Sequence, residues 1–295
     1  PLYSSAASDV YKRQELGHLS KLNGYKLQVI HVPKTIDNDL IGTDHSPGYG
    51  STARFVALAT MGAGKDAQTM GESAPITILE VMGRDAGWIA ASSSLGKNNY
   101  HDPPHLVCIP EQIIDCGNFV NQLENAYRRF GYAVAVVAEN SQNADGIIGK
   151  KEKALYEDQF GHKYFEGAGY HLSKLAESQL KVRVRYEKPG TIQRSMIACI
   201  SSIDAADAEM VGTKAVQYAL EGATEVMVAI KREELASKYS SSTKLTPVEE
   251  VADKVKYLPE TYFDKEKLLP TEAFKSYATP LIGTCLLYTS PRPRD

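Results

Sequence analysis

Six short runs rich in Val, Ile and Leu alternate with helical patterns, and this alternation constrains the fold more than any other feature. The runs that predict buried strands are residues 27–32, 76–81, 106–109, 134–137, 182–186 and 226–230. One helix is predicted between the third and fourth runs, with Asn118 as its N-cap and Gly131 just past its end. Another is predicted from Asp204 to Gly222. Such alternation is typical of α/β proteins with mostly parallel sheets, and 295 residues suffice for two of them.

The C-terminal third and the two chain ends carry further predictions. Thr246, Pro247 and Glu249 combine an N-cap, a proline at the first helical position and a reciprocal glutamate, which predicts a short helix. The Ser-rich residues 237–243 are predicted to form an exposed loop.

Residues 1–14 and 284–295 have no helical or strand period and resemble translated sequencing-adapter sequence. We therefore expect both ends to be non-native and to form no element. On this interpretation, the natural start of the chain lies upstream.

Charge and composition exclude several classes of function. The chain has 33 Lys and Arg against 36 Asp and Glu, a net charge of −3, whereas proteins that neutralise nucleic-acid phosphates have a basic excess. The longest apolar run, residues 132–138, is far shorter than the ~20 residues of a membrane span. The four cysteines form no CxxC pair and have no nearby His at zinc-ligand spacing. We expect a cytoplasmic protein that binds neither nucleic acid nor membrane.

Residues 33–39, PKTIDND, are the densest group of chemically useful side chains, and they directly follow the first predicted strand. Ligands of open α/β sheets sit beyond the carboxyl ends of strands. Two carboxylates, an amide, a hydroxyl and an ammonium provide the base, the metal-orienting anion and the phosphate donors that phosphoryl transfer requires. The alternative is a polar turn, because Asn and Asp favour turns by themselves.

Residues 80–88, EVMGRDAGW, form a second group where a strand gives way to a helix. Gly83 and Gly87 permit close backbone approach, and Arg84 could hold a phosphate at the helix start. The alternative is a tight connection with a solvated arginine. Residues 62–65, GAGK, are not a phosphate loop, because the upstream glycine and the following Ser or Thr are missing.

Two more charged residues follow predicted strands. Glu139 comes after the run 134–137, and Arg194 lies in TIQR beyond the run 182–186. Charged groups from four connections thus converge on strand ends, as in an active site. We expect Asp37 and Arg84 to share one crevice.

Taken together, these motifs resemble the phosphofructokinase family. PKTIDND, EVMGR, Pro110-Glu111, VVAE and IQR occur in the family's order, and the resemblance runs from about residue 15 to about residue 283. The resemblance implies two parallel-sheet, Rossmann-like domains with the active site in the cleft between them, the first of them incomplete here. It further implies that residues 15–48 and 204–240 belong to the phosphoryl-donor domain. Residues 49–203 and 241–283 would form the sugar-phosphate domain.

The resemblance also implies roles for the first motif. Asp37 would be the base that deprotonates the sugar 1-hydroxyl, and Thr35 would line the same site. Asp39 would position substrate or Mg²⁺. Lys34 bears on the phosphoryl donor, because pyrophosphate-dependent members place a lysine there and common bacterial ATP-dependent enzymes a glycine. Some ATP-using members also have the lysine.

The resemblance assigns the acceptor to the remaining motifs. Met82, Gly83 and Arg84 would hold the sugar and the transferring phosphoryl group, and Glu139 would accept a sugar hydroxyl. Arg194 would hold the 6-phosphate by reaching in from a neighbouring subunit, which implies a homodimer or homotetramer.

Departures from the family pattern leave alternatives open. Pro75 stands where many members have a phosphate-binding arginine, and residues 195–207 replace the frequent Gly-Gly-Ser-Pro segment. The donor loop should lie upstream of residue 15, so we expect the 295-residue polypeptide by itself to be inactive. A pyrophosphate-dependent 6-phosphofructokinase is favoured over an ATP-dependent one. The third alternative is a non-catalytic regulatory subunit.

Overall fold

The computed structural model describes residues 5–150, 156–157, 163–164, 166–233 and 239–283. The helices in these ranges are α1 (Ser5–Leu22), α2 (Tyr49–Met70), α3 (Trp88–Ser92), α4 (Cys116–Phe130), α5 (Ala168–Leu180), α6 (Ser202–Leu220), α7 (Val248–Val251) and α8 (Glu272–Ala278). Short 3-10 turns include Gly190–Arg194 and Ile197–Cys199. None of the described helices is long and apolar enough to cross a lipid bilayer.

The strands in the same ranges form two main sheets and several short pairs. They are β1 (Ile30–His31), β2 (Ile76–Val81), β3 (Leu106–Cys108), β4 (Ala133–Ala138), β5 (Gln142–Asn143), β6 (Gly146–Ile147), β7 (Tyr156–Glu157), β8 (Lys163–Tyr164), β9 (Val184–Glu187), β10 (Val226–Arg232), β11 (Ser241–Pro247), β12 (Phe263–Asp264) and β13 (Leu269–Pro270).

The larger sheet is parallel throughout, with the strand order β3-β4-β2-β9. All residues of β2 and β4 are buried, as expected for strands covered on both faces by helices. Helices α2, α4 and α5 pack against this sheet, and their apolar faces complete the largest core.

The smaller sheet has the order β1-β10-β11, in which β1 is parallel and β11 antiparallel to β10. Alternate residues of β10 enter separate cores. Val228 and Ile230 pack with α6, whereas Met227 and Ala229 pack with Leu40 and α7. The two sheets confirm the predicted α/β class.

Helix α2 begins at Tyr49, and its first amides are capped from a distant helix. Asp204 of α6 accepts hydrogen bonds from Gly48 N at 2.8 Å, from Ser51 N at 3.0 Å and from Ser51 Oγ at 2.5 Å. A buried carboxylate at a helix start satisfies amides that have no partner within the helix. Asp204 therefore connects the smaller sheet's helix to α2.

Some local predictions are wrong. Asp115, not Asn118, caps α4, and its carboxylate accepts from Asn118 N at 2.7 Å; Gly131 ends that helix in the left-handed region, as predicted. Residues 5–14 lie in α1, although no element was predicted there, while residues 1–4 and 284–295 lie outside the described residues.

The Ser-rich segment is also different from the prediction. Residues 241–247 form β11 rather than a loop, because pairing with β10 outweighs their polar composition; residues 234–238 lie outside the described part. Thr246 belongs to this strand, and α7 follows without a side-chain cap. Strand β11 thus joins the sheet of β10, whereas the prediction placed 241–283 in the other domain.

Candidate active site

The loop after β1 carries the first motif, and its own side chains hold it in shape. Thr35 is buried, and its Oγ1 accepts a hydrogen bond from Asp37 N at 3.1 Å. Asn38 has a left-handed φ of 56° and is fully buried. Lys34 is exposed, while Asp39 is buried. Along the loop, half-buried Asp37 thus stands between an exposed lysine and a buried carboxylate.

The loop after β2 carries the second motif. Gly83 has a φ of 114°, and a Cβ there would lie 2.9 Å from the Ala86 carbonyl oxygen, so only glycine fits. Met82 N–H donates to Gln193 Oε1 at 3.2 Å. Buried Gln193 thereby ties this loop to the turn that carries Arg194. The tight backbone conformation at Gly83 places Arg84, the next residue, at the wall of the cavity described below.

Charged side chains of the two loops lie close enough to shift one another's pKa values. Burial raises the pKa of Asp37 from 3.8 to about 7, and the charges of Asp39 and Glu139 add to the rise. Arg84 acts in the opposite direction and lowers the pKa of the same carboxyl group. Asp37 Oδ1 is buried and has no hydrogen-bond partner among the described residues. A carboxylate of this kind can accept a proton near neutral pH.

Arg84 lies among several carboxylates. Its Nε is 4.0 Å from Glu139 Oε1. Burial raises the pKa of Glu139 and of Asp85, and Arg84 partly offsets the rise at both. Lys188 also lowers the pKa of Glu139, and Lys150 that of Asp85. Carboxyl groups with raised pKa values next to cationic side chains are typical of functional sites.

A cavity of about 570 Å³ opens beside this cluster. Among the described residues that line it, Arg84 is accompanied by Asp85, Glu111, Tyr257 and Glu260. Glu111 has a structural role, because its Oε1 accepts hydrogen bonds from Gly87 N at 2.9 Å and from Leu258 N at 2.8 Å. The volume suits a small ligand.

Two smaller cavities adjoin the loop of Gln193. One of about 130 Å³ is lined by Glu139, Met82 and Gln193. The other, of about 340 Å³, is lined by Ile36, Gln193 and Arg194. Within a single chain, Arg194 therefore faces a different cavity from Arg84.

The structure brings Asp37, Asp39, Arg84 and Glu139 together, and it places Arg194 in a neighbouring cavity of the same chain. Sequence reasoning missed Gln193 and Lys256, which hold the two loops by hydrogen bonds. Gln193 had a signal, since it belongs to the IQR motif. Lys256 had none, because it lies 218 residues from its partner Asn38.

The donor set of the cluster fits Mg²⁺ shared with a phosphate. No group of three or more His, Cys, Asp or Glu in the described ranges is arranged to hold a metal by itself. Mg²⁺ is usually bound through one or two carboxylates together with substrate phosphates and waters. Asp39 and the buried, unpaired oxygen of Asp37 offer carboxylate ligands of that kind.

Fold and site define an α/β protein in which Arg84 and a cluster of carboxylates follow the carboxyl ends of parallel strands. The family model described as phosphofructokinase matches residues 11–219. The chain therefore belongs to the phosphofructokinase family.

Curated relatives and a solved structure agree with this assignment. The chain is 39% identical over 266 residues to a pyrophosphate–fructose 6-phosphate 1-phosphotransferase of Rhodospirillum rubrum, covering 88% of this chain and 64% of the relative. A Halomonas elongata protein of the same name is 36% identical, covering 91% of this chain and 64% of the relative. A pyrophosphate-dependent phosphofructokinase structure from Nitrosospira multiformis matches with a TM-score of 0.83 and 29% identity, covering 98% of this chain and 68% of that one. The chain thus spans about two thirds of the length of these proteins.

Proposed function

We propose that this protein transfers a phosphoryl group from pyrophosphate to the 1-hydroxyl of fructose 6-phosphate, giving fructose 1,6-bisphosphate in glycolysis. One observation carries the proposal: burial raises the pKa of the Asp37 carboxyl group to about 7, and Arg84 lies near enough to lower the pKa of the same group. The names of the relatives from Rhodospirillum rubrum and Halomonas elongata support the choice of donor and acceptor.

In the proposed reaction, ionised Asp37 accepts the proton of the sugar 1-hydroxyl. The new bond joins that oxygen to phosphorus, the bridging P–O bond of pyrophosphate breaks, and inorganic phosphate leaves. A positioned base contributes ~10²–10⁴-fold to such a step. Arg84 lies near enough to Asp37 to lower the pKa of that carboxyl group, and its guanidinium stabilises the negative charge on the transferring group.

The acceptor is held by the neighbouring groups. Met82, Gly83 and Glu139 contact the sugar, and Thr35 keeps the Asp37 backbone in place. Arg194 binds the 6-phosphate in the site of a neighbouring subunit, which its position in a separate cavity of its own chain supports.

The donor is bound on the Lys34 side of the loop. The exposed ammonium of Lys34 meets the charge of pyrophosphate, and Asp39 holds Mg²⁺ together with the donor. Bound Mg²⁺ would neutralise charge on the pyrophosphate oxygens.

The protein acts as a homo-oligomer in the cytoplasm. Around Arg194, the large apolar side chains of Ile192, Met196, Ile197 and Ile200 are exposed, and an exposed apolar cluster of this size favours association. Cys108, Cys116 and Cys199 are free thiols, which favours a reducing compartment. Light scattering of the purified protein measures its oligomeric state, and a monomer would contradict this part of the proposal.

The donor is tested in the longest polypeptide that the gene encodes. We expect fructose 1,6-bisphosphate to form with pyrophosphate and Mg²⁺, and at a much lower rate with ATP. Lys34→Gly should reduce the rate with pyrophosphate more than the rate with ATP. Turnover with ATP alone would reverse the choice of donor, and no turnover with either donor would favour a regulatory subunit.

A further inference from the structure

Lys256 lies outside all the family motifs, yet both its backbone and its side chain contact the loop that carries Asp37. Its ammonium donates to Asn38 Oδ1 at 3.1 Å, to the Asp44 carbonyl oxygen at 2.8 Å and to the Thr43 carbonyl oxygen at 3.3 Å. Its backbone N–H donates to the Asp39 carbonyl oxygen at 2.8 Å. All three ammonium donors thus have acceptors in residues 38–44.

The same lysine also contacts the second loop. The indole of Trp88, on α3 beyond Arg84, lies with its ring centroid 5.0 Å from Lys256 Nζ, and its Nε1–H donates to the Lys256 carbonyl oxygen at 2.8 Å. Burial lowers the pKa of Lys256 to about 8, and the charges of Asp44 and Asp39 partly offset this effect. A part-buried cation whose hydrogen-bond acceptors are all uncharged is costly to retain. Lys256 therefore holds the first loop against the helix of the second.

Asn38, which accepts a hydrogen bond from Lys256, determines how the carboxylates of Asp37 and Asp39 are oriented relative to each other. Asn38 stands between Asp37 and Asp39 in the left-handed region, with a φ of 56°, a conformation that asparagine adopts more readily than most non-glycine residues. Its amide is fully engaged, because Oδ1 also accepts from Ser46 N at 3.1 Å and Nδ2 donates to Tyr277 Oη at 3.0 Å. Rotating Asn38 out of this conformation would turn Asp37 relative to Asp39.

We propose that Lys256 is a positioning residue for Asp37: its ammonium fixes Asn38 and the turn at Thr43 and Asp44, and so sets the direction of the Asp37 carboxylate. This inference rests on the proposed function, in which Asp37 is the base. It adds to that function a residue from the segment between α7 and β12.

The kinetic test compares Lys256→Met with Lys254→Met, an exposed lysine on the same segment, in the longest polypeptide that the gene encodes. Misplacing the base without removing it should lower kcat by about 10²-fold and leave the KM for fructose 6-phosphate within about threefold. Lys254→Met should match the wild type. A Lys256→Met enzyme with unchanged kcat, or with a rise in KM alone, would overturn the inference.

A second measurement is independent of turnover. In the 295-residue chain, hydrogen exchange of the peptide covering residues 37–46 should be at least 10-fold faster in Lys256→Met, since a hydrogen bond to a charged group is lost. The strands at residues 76–81 and 133–138 should exchange as in the wild type. Unchanged exchange at 37–46, or an equal increase throughout the protein, would show that Lys256 does not hold this loop specifically.

The two failures can be told apart. A wild-type protein without turnover contradicts the proposed function, and the exchange measurement then decides whether Lys256 holds the loop. Should Lys256→Met fail to fold, Lys256→Gln, which keeps an amide donor but no charge, takes its place in both measurements.

Discussion

Replacing Asp37 with asparagine should stabilise the folded protein at alkaline pH. Burial and the charges of Asp39 and Glu139 raise the pKa of Asp37 from 3.8 to about 7. At about 1.4 kcal/mol per pKa unit, this corresponds to about 4 kcal/mol. Because the folded-state pKa is raised, the stability contributed by the protonated carboxyl group is fully present below pH 3.8 and is lost as the pH rises through about 7. Asparagine cannot ionise, so it avoids this loss.

The assay is urea unfolding of the 295-residue chain between pH 5 and pH 8. The gain in free energy of unfolding from Asp37→Asn should be up to about 4 kcal/mol at pH 8 and about 3 kcal/mol smaller at pH 5. Asp253→Asn, at an exposed aspartate, is the matched control and should show no such pH dependence. A gain that is equal at both pH values, or a loss of stability at pH 8, would refute the placement of Asp37 in a buried acidic cluster.

Three further substitutions test the role of Arg84, the cap of helix α2 and the backbone conformation at Gly83. Arg84→Met should lower kcat by about 10²–10³-fold and move the acid limb of the kcat/KM profile to higher pH, because Arg84 lowers the pKa of Asp37; an unmoved limb would contradict their proximity. Asp204→Ala leaves three donors at the start of α2 without their acceptor and should cost roughly 1–3 kcal/mol in urea unfolding, whereas a change below about 0.5 kcal/mol would show that these amides find other partners. Gly83→Ala should destabilise by roughly 1–3 kcal/mol and reduce turnover, while Gly212→Ala, where a Cβ meets no atom within 4 Å, should be neutral or stabilising; equal effects of the two would argue against strain at Gly83.

The central strands could be predicted because strands that are covered on both faces are continuous apolar runs. The runs 76–81 and 226–230 are examples, and they appear as β2 and β10. Strand β11 could not be predicted, because its Ser-rich sequence becomes a strand only through pairing with β10. Local composition was therefore enough to predict the central strands, whereas the edge strand β11 depends on its pairing with β10.

The site shows the same division. Arg84 and Glu139 could be placed together from the sequence, since each follows a strand of the same parallel sheet and the carboxyl ends of such strands are close in space. Asp37 follows β1 of the smaller sheet, so its approach to Arg84 depends on the packing of the folded chain. Lys256 could not be placed from the sequence, because its contact with Asn38 joins residues 218 positions apart and no motif marks it. The candidate site residues lie in motifs that the sequence shows, whereas the residues that hold them in place are brought near only by folding.

The role of Asp37 as the base is tested by the rate at which Asp37→Asn forms fructose 1,6-bisphosphate from fructose 6-phosphate and pyrophosphate in the longest polypeptide that the gene encodes. Removing the base should lower kcat by about 10²–10⁴-fold, with binding of fructose 6-phosphate little changed in calorimetry. A variant that retains the wild-type rate would show that Asp37 is not the base.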